Sequence, residues 1–262
     1  MSVALNYVVD GPADGPIVVF SGSLGSDLRM WEPQVAPLVA AGYRLVRYDH
    51  RGHGASPVPA GPYRLDELGD DASELIDCFD GRRVSWVGLS LGGMVGMWLA
   101  RFAPQRLDRL VLLCTSAKLG PPEGWAQRAE LVRAKGTEAI ADAAVGRWVT
   151  PGYAAANPER MTWLRDMIAA TPAEGYASCC TAIELMDQLD ELAGITAPTL
   201  VIGGARDPAT PPADHQKPIA ERIPGARLEV LSPGAHLVSY EQADRVSELI
   251  IDHLRRPGTE NR

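Results

Sequence analysis

The sequence has few cysteines, no excess of basic residues and no long apolar run, and each shortage excludes a class of function. Its four cysteines include one adjacent pair and no C-x-x-C spacing, a pattern that excludes a disulfide framework and a zinc site and suits a reducing compartment. Acidic residues outnumber basic ones by 33 to 25, which argues against nucleic acid or an anionic membrane as the main partner. The apolar runs are far shorter than the roughly 20 residues that cross a bilayer.

The remaining composition is that of an ordinary globular protein. Hydrophobic residues make up 46% and charged residues 22% of the 262 positions, so the chain can bury a substantial core. Its start, Met1–Asp10, is typical of a strand and not of a basic-then-apolar leader. We therefore expect a cytoplasmic protein with no membrane partner, and the sequence specifies no oligomeric state.

Short β-branched runs alternate along the chain with amphipathic stretches, the pattern of a mostly parallel sheet covered by helices. Strands are predicted at Ile17–Phe20, Arg44–Tyr48, Val84–Leu89, Leu107–Thr115, Thr199–Gly203 and Leu228–Leu231. Covering helices are predicted at Trp31–Ala41, Leu65–Phe79, Leu91–Phe102, Pro212–Ile223 and Ala243–Leu254. This alternation predicts an α/β fold.

Residues 118–192 depart from the alternation. They contain no strand-like run, only helical patterns at Trp125–Lys135, Thr137–Val149, Pro158–Ala169 and Glu174–Leu189. We interpret them as an all-helical cap, or lid, inserted into a core domain formed by residues 1–117 and 193–262. The alternative is that these helices merely continue the covering layer.

The segment Gly88–Gly92 reads Gly-Leu-Ser-Leu-Gly and matches the pattern G-x-S-x-G. A β-rich run leads into it and an apolar helical pattern follows, and a strand, a sharp turn and a helix together raise a serine hydroxyl above the end of a sheet. Glycines on either side leave room for so tight a turn. We predict Ser90 as a nucleophile; the alternative is a glycine-rich turn with an incidental serine.

A nucleophilic serine needs a base, and the chain has five histidines. His236 follows the last predicted strand in a short loop, where this order of elements brings a histidine to the carboxyl edge of the sheet. We predict it as the base. His50 and His53 would instead structure the loop after the second predicted strand, and His215 and His253 are expected at the surface.

An acid must hold the imidazole in the correct tautomer. Asp207 comes directly after the strand Thr199–Gly203, whereas the segment after the preceding strand, Cys114–Ser116, has no carboxylate. The resulting chain order of serine, acid and histidine is the one this architecture requires. Asp214 is the alternative acid, and a simple turn is the alternative role for Asp207.

An oxyanion formed during attack needs two backbone N–H donors. Leu91, directly after the nucleophile, supplies one. The second is expected from the loop Ser21–Gly25, whose small residues suit backbone presentation to a substrate. We predict Ser23, with Leu24 as the second choice.

With these residues placed, the chain resembles the α/β-hydrolases over nearly its whole length. Tyr48–Ser56 is similar to the loop D-x-R-G-x-G-x-S of that superfamily, although Ser21-Gly22 stands where many members have His-Gly. Within the superfamily the chain is most similar to the 3-oxoadipate enol-lactonases, through Ser23–Trp31, Ala170–Tyr176 with Cys179-Cys180, and Asp207–Pro212. The resemblance implies the α/β-hydrolase fold, with a mostly parallel central sheet, flanking helices and an inserted helical cap.

The resemblance also implies an activity. This is hydrolysis of the enol-lactone of 3-oxoadipate through an acyl-enzyme, in the breakdown of protocatechuate and catechol, with no cofactor and no metal. Some relatives carry a fused carboxymuconolactone decarboxylase domain. Because Arg256-Pro257-Gly258 follows the last predicted helix closely, we expect the lactonase step alone.

A small lactone that carries a carboxylate needs a cationic partner. We predict Arg133, in the first helix of the cap, with Leu24, Trp125 and Trp148 as further substrate-binding residues. A cap arginine often lies on a solvated face and a cap tryptophan in the core, and these are the alternatives.

Other functions use the same residues. A carboxylesterase, a carbon–carbon bond hydrolase or a perhydrolase would need the same serine, acid and histidine. Dehalogenases and most epoxide hydrolases of this fold need an aspartate nucleophile, which the serine at position 90 argues against. A non-catalytic ligand-binding module on the same scaffold is a remote alternative.

Overall fold

The structure, a computed structural model, describes residues 2–79 and 82–256. Pro257 and Gly258, on which the expectation of a single catalytic step depends, lie outside the described residues. Within the described part of the chain, no helix is both long enough and apolar enough to cross a membrane.

Seven strands form one sheet in the order β1-β3-β2-β4-β5-β6-β7. Only β1 runs antiparallel to its neighbour among these strands. Their bounds are β1 Tyr7–Asp10, β2 Ile17–Ser21, β3 Arg44–Tyr48, β4 Val84–Leu89, β5 Leu107–Leu113, β6 Thr199–Gly204 and β7 Arg227–Leu231. All residues of β2, β4 and β6 are buried, as expected where helices cover both faces of a parallel sheet. The predicted α/β fold is confirmed, although the first strand is shorter than Met1–Asp10.

Eleven α-helices lie in the described residues. They are α1 Glu32–Ala40, α2 Leu65–Asp77, α3 Leu91–Phe102, α4 Pro122–Lys135, α5 Glu138–Trp148, α6 Pro151–Ala156, α7 Pro158–Ala169, α8 Ala173–Leu185, α9 Gln216–Arg222, α10 Val238–Glu241 and α11 Ala243–Arg255. The helix predicted from Pro212 begins only at Gln216, after a turn that contains two prolines. The short helices α6 and α10 were not predicted, because helices of six and four residues are too short to show a periodic pattern of apolar residues.

Five helices, α4 to α8, lie between β5 and β6 in chain order. Helix α4 packs on α8, and α5 packs on α7. This is the element order expected of an insertion between two strands of the sheet. The division into a core domain and a cap at residues 118 and 192 stays a prediction.

Helix α3 packs unusually close to the sheet. A Cβ atom at Gly92 would lie 2.1 Å from the carbonyl oxygen of Ser21, and one at Gly96 would lie 2.6 Å from Cδ1 of Trp86. Both distances are too short for a side chain, so these glycines set the approach of the helix. The start of α3 therefore lies directly against the carboxyl end of β2.

Candidate active site

Ser90 lies at the turn between β4 and α3 with φ 54° and ψ −113°. This conformation costs a non-glycine residue about 1–3 kcal/mol and persists only where the surrounding structure holds it. Here the Ser90 amide donates to the Leu113 carbonyl at 2.9 Å, and the Ser90 carbonyl accepts from Thr115 Oγ1 at 2.7 Å. A Cβ atom at Gly88 would lie 2.1 Å from the Gly92 carbonyl oxygen, so the turn closes only with glycine there.

Asp207, after β6, and His236, after β7, are joined by a hydrogen bond. Nδ1 of His236 lies 2.8 Å from Oδ2 of Asp207, and both side chains are almost completely buried. The same carboxylate accepts from Thr210 Oγ1 at 2.7 Å and from the amides of Ala209 and Thr210. Four donors therefore fix its orientation.

The environment of Asp207 keeps its carboxylate ionised. Burial alone would raise the pKa of Asp207, but the nearby charge of His236 and the hydrogen bonds from His236 and Thr210 outweigh it and lower this pKa to about 2. An ionised carboxylate on Nδ1 holds the proton of the neutral imidazole at that nitrogen, which leaves Nε2 free to accept one. The alternative acid, Asp214, is exposed.

Ser90 and His236 line the same cavity, which has a volume of about 300 Å³. Within the described residues the Ser90 hydroxyl forms no hydrogen bond with the imidazole. Catalytic hydrogen bonds commonly tighten only when substrate is bound. The folding of the chain thus brings the predicted nucleophile, base and acid to one edge of the sheet.

The loop after β2 distinguishes the two predicted donors of the second oxyanion hydrogen bond. The amide of Ser23 donates to Sδ of Met30 at 3.3 Å, whereas the amides of Leu24 and Leu91 form no hydrogen bond within the described part of the chain. Ser23 and Leu24 both line the cavity together with Ser90. The free amide favours the second choice, Leu24, and the identity of the donor stays a prediction.

The other histidines are structural, and one expectation about them was wrong. His50 Nε2 lies 3.1 Å from the Gly22 carbonyl, and His53 Nε2 accepts from the Gly25 amide at 3.0 Å. Burial lowers the pKa of His50 to about 3 and that of His53 to about 4, so both imidazoles are neutral. Their hydrogen bonds to Gly22 and Gly25 stabilise the loop that follows β2. His253, expected at the surface, is only 3% exposed because it faces the sheet and contacts the Pro198 carbonyl at 3.1 Å. His215 is half-buried against Ser116.

The cavity wall corrects the predicted cationic partner. Leu24, Trp125 and Trp148 line the cavity, as predicted for substrate-binding residues, but Arg133 does not. Arg133 lies on the outer side of α4, where its guanidinium pairs with Glu174 at 3.1 Å.

Two other arginines line the cavity instead, Arg128 from α4 and Arg147 from α5. Within the described residues neither forms an ion pair, and Arg128 lies over the ring of Trp125 at 5.4 Å. Burial and the charge of Arg128 lower the pKa of Arg147, and the group stays cationic. Two half-buried guanidinium groups, with no carboxylate paired to them among the described residues, make this wall of the cavity cationic.

Sequence reasoning missed the residues that support the acid. Gln216 is fully buried, and its amide donates to the Thr115 carbonyl at 2.8 Å and to Thr210 Oγ1 at 3.3 Å. It thereby links the segment after β5, whose Thr115 hydroxyl donates to the Ser90 carbonyl, to the loop that contains Asp207. No motif marks this glutamine in the sequence. Among the described residues, no cluster of three or more histidines, cysteines or carboxylates is placed to hold a metal ion.

We compared the chain with known protein families to identify the class of protein that has this fold. Residues 15–243 match the sequence model of the alpha/beta hydrolase fold. The chain belongs to the α/β-hydrolase family.

Within this family, the chain is similar over nearly its whole length to proteins named as enol-lactonases. The chain is 42% identical to 3-oxoadipate enol-lactonase 2 of Acinetobacter baylyi, over 97% of this chain and 94% of that protein. It is 34% identical to 3-oxoadipate enol-lactonase 1 of the same organism, over 94% and 91%. The crystal structure of the enol-lactonase from Burkholderia xenovorans LB400 superposes with a TM-score of 0.93 at 40% identity, covering 96% of each chain. The family resemblance read from the sequence is confirmed.

Proposed function

We propose that this protein is a serine hydrolase that opens the enol-lactone of 3-oxoadipate. The observation that carries the proposal is the composition of one cavity, which is lined by Ser90 and His236 at its base and by Arg128 and Arg147 on its wall. The first pair suits attack on an ester carbonyl, and the second suits a substrate that carries a carboxylate. The similarity to proteins named enol-lactonases supports the same substrate.

The first chemical step is acylation of the serine. His236 takes the proton of the Ser90 hydroxyl at Nε2, and Oγ attacks the lactone carbonyl. Negative charge collects on the carbonyl oxygen, which the amides of Leu24 and Leu91 stabilise. The start of α3 adds partial positive charge at the same place.

Collapse of the tetrahedral intermediate breaks the ring C–O bond and releases an enolate, which remains tethered to the acyl group. The imidazolium of His236 supplies its proton, and the enol tautomerises to the ketone. A water molecule activated by His236 then hydrolyses the acyl-enzyme and releases 3-oxoadipate. Every group needed comes from the protein, the substrate and water, so the proposal includes no cofactor.

Arg147 and Arg128 are proposed to hold the substrate carboxylate. Both guanidinium groups are half-buried and free of acidic partners within the described residues. Trp125 and Trp148 supply apolar surface beside them. A neutral ester would gain nothing from this wall, so the arginines favour an anionic lactone over simple esters.

The four free cysteines are compatible with the reducing cytoplasm, where we place the protein.

The test is a comparison of substrates. The enol-lactone, generated in situ from its precursor, and p-nitrophenyl acetate are supplied to the same enzyme, and kcat/KM is measured for each. We expect a strong preference for the lactone. A preference for the simple ester would favour a general carboxylesterase, whereas no turnover of any ester would favour the non-catalytic alternative.

A further inference from the structure

The loop that carries His236 is hydrogen-bonded on both sides of the histidine. Before it, the amide of Ala235 donates to Oε2 of Glu241. After it, the amide of Leu237 donates to the carbonyl of Trp148 at 2.6 Å. The backbone is therefore fixed on both sides of His236, at Ala235 and at Leu237. The partner of Leu237, Trp148, is the last residue of α5.

Glu241 connects this loop to the same part of the helical segment through its other oxygen. Oε1 accepts from the amide of Thr150 at 2.8 Å and from its hydroxyl at 2.6 Å. A single carboxylate thus joins Ala235, beside the base, to Thr150, which precedes α6. Hydrogen bonds to an ionised acceptor are roughly twice as strong as those between neutral groups, so this is a firm connection.

The opposite side of the loop rests on the sheet. A Cβ atom at Gly204, the last residue of β6, would lie 2.1 Å from the Ala235 carbonyl oxygen. The Arg206 amide donates to the Gly234 carbonyl at 2.8 Å. The loop is therefore held between β6 and Glu241, with little freedom to move independently of either.

Trp148 contributes to both the loop contact and the cavity. Its side chain lines the cavity, and its carbonyl holds the residue after His236. A shift of this wall is consequently transmitted to the backbone of the base.

We propose that Glu241 is a positioning residue that sets the place of His236 Nε2 relative to Ser90 and couples the base to the cavity wall. It acts through the backbone of Ala235 and does not touch the substrate. The inference rests on the proposed serine-hydrolase function, because it concerns proton transfer between Ser90 and His236.

The primary test is Glu241→Gln, which preserves size but replaces one accepting oxygen with an NH₂ group, so that Ala235 or Thr150 loses its acceptor. Active sites are first counted by titration with a p-nitrophenyl alkylphosphonate, and kcat and KM for the enol-lactone are then measured per titrated site. A displacement of the base of about 1 Å lowers rate by up to about 100-fold, so we expect kcat to fall 10- to 100-fold while KM stays unchanged. Glu248→Gln, an exposed glutamate of α11 paired with Arg245, is the matched control and should behave as the parent.

Two variants at Thr150 keep the proposal falsifiable if Glu241→Gln does not fold. Thr150→Val removes the hydroxyl that donates to Glu241 and that also accepts from the Tyr153 amide at the start of α6. It should lower kcat less than Glu241→Gln, while Thr150→Ser should restore the parent rate. The double variant Glu241→Gln/Thr150→Val should cost less than the sum of the single changes, because both act on one connection.

The outcomes separate this inference from the proposed function. Parent kcat per titrated site in Glu241→Gln or in Thr150→Val, with only a lower melting temperature, would reduce Glu241 to a structural role and overturn the inference. Failure of the parent protein to react with the phosphonate would overturn the proposed function first.

Discussion

Nδ1 of His236 lies 2.8 Å from Oδ2 of Asp207, at a point where both side chains are shielded from solvent. The carboxylate cannot rotate away, because the hydroxyl of Thr210 and the amides of Ala209 and Thr210 occupy its other acceptor positions. The imidazole is therefore held in one orientation with Nε2 as its free nitrogen. The predictions about catalysis depend on this pair.

Replacing the acid should abolish most of the activity. In Asp207→Asn the amide no longer supports the proton on Nδ1, and the imidazole adopts the wrong tautomer. We expect kcat to fall about 10⁴-fold, with circular dichroism showing the fold retained. Asp214→Asn, at the exposed alternative acid, is the control and should keep parent kcat; the reverse pattern would transfer the role to Asp214.

Activity should fall as the pH is lowered, because a protonated imidazole cannot accept the proton of Ser90. The pKa of Asp207, lowered to about 2, keeps that carboxylate ionised above about pH 4. A loss of kcat/KM above about pH 4 should therefore not come from protonation of Asp207. A pH profile of kcat/KM with no acidic limb would contradict the assigned base.

The protein should also lose stability in mild acid. Burial lowers the pKa values of His50, His53 and His253 to about 3, 4 and 4, from 6.5. Between pH 6.5 and about 4 the unfolded chain binds protons that the folded protein does not, so the free energy of unfolding falls as pH falls. The expected slope is about 1.4 kcal/mol per pH unit for each histidine.

Urea unfolding of the parent and of His253→Gln at pH 7 and pH 5 measures this slope. Glutamine retains a donor for the Pro198 carbonyl but does not titrate. The variant should lose less stability between the two pH values than the parent. Equal losses would show that folding does not lower the pKa of His253.

The cavity arginines should determine substrate preference. Arg147→Met removes a cationic hydrogen-bond donor and should lower kcat/KM for the enol-lactone roughly 10- to 100-fold. The rate on p-nitrophenyl acetate should hardly change. Arg133→Met, on the same helical segment but outside the cavity, is the control, and an equal effect of both changes on the lactone would contradict the proposed carboxylate site.

Much of the fold could be predicted because its signals are local. Strands such as Val84–Leu89 are mostly apolar and fully buried, since both faces of the sheet are covered. The turn at Ser90 could be found because only glycine fits on either side of it. His253 could also have been placed in the core, because it continues the apolar stripe of Val246 and Ile250 along α11.

The remaining site features depend on long-range packing. Whether Ser23 or Leu24 points its amide at the substrate is decided by where the Met30 sulfur lies. Apolar residues are spread almost evenly around α4, so the sequence does not show that Arg128 faces the cavity while Arg133 faces outward. Which amide is free and which arginine lines the cavity depend on contacts between residues far apart in the sequence, and no local sequence pattern predicts those contacts.

Covalent labelling tests the central claim most directly. The protein is treated with a p-nitrophenyl alkylphosphonate, and the modified residue is identified by mass spectrometry of the intact chain and of its peptides. We predict one phosphonyl group per chain, on Ser90, with labelling abolished in Ser90→Ala and strongly slowed in His236→Ala. Labelling of another residue, or labelling that persists at the parent rate in His236→Ala, would contradict the claim.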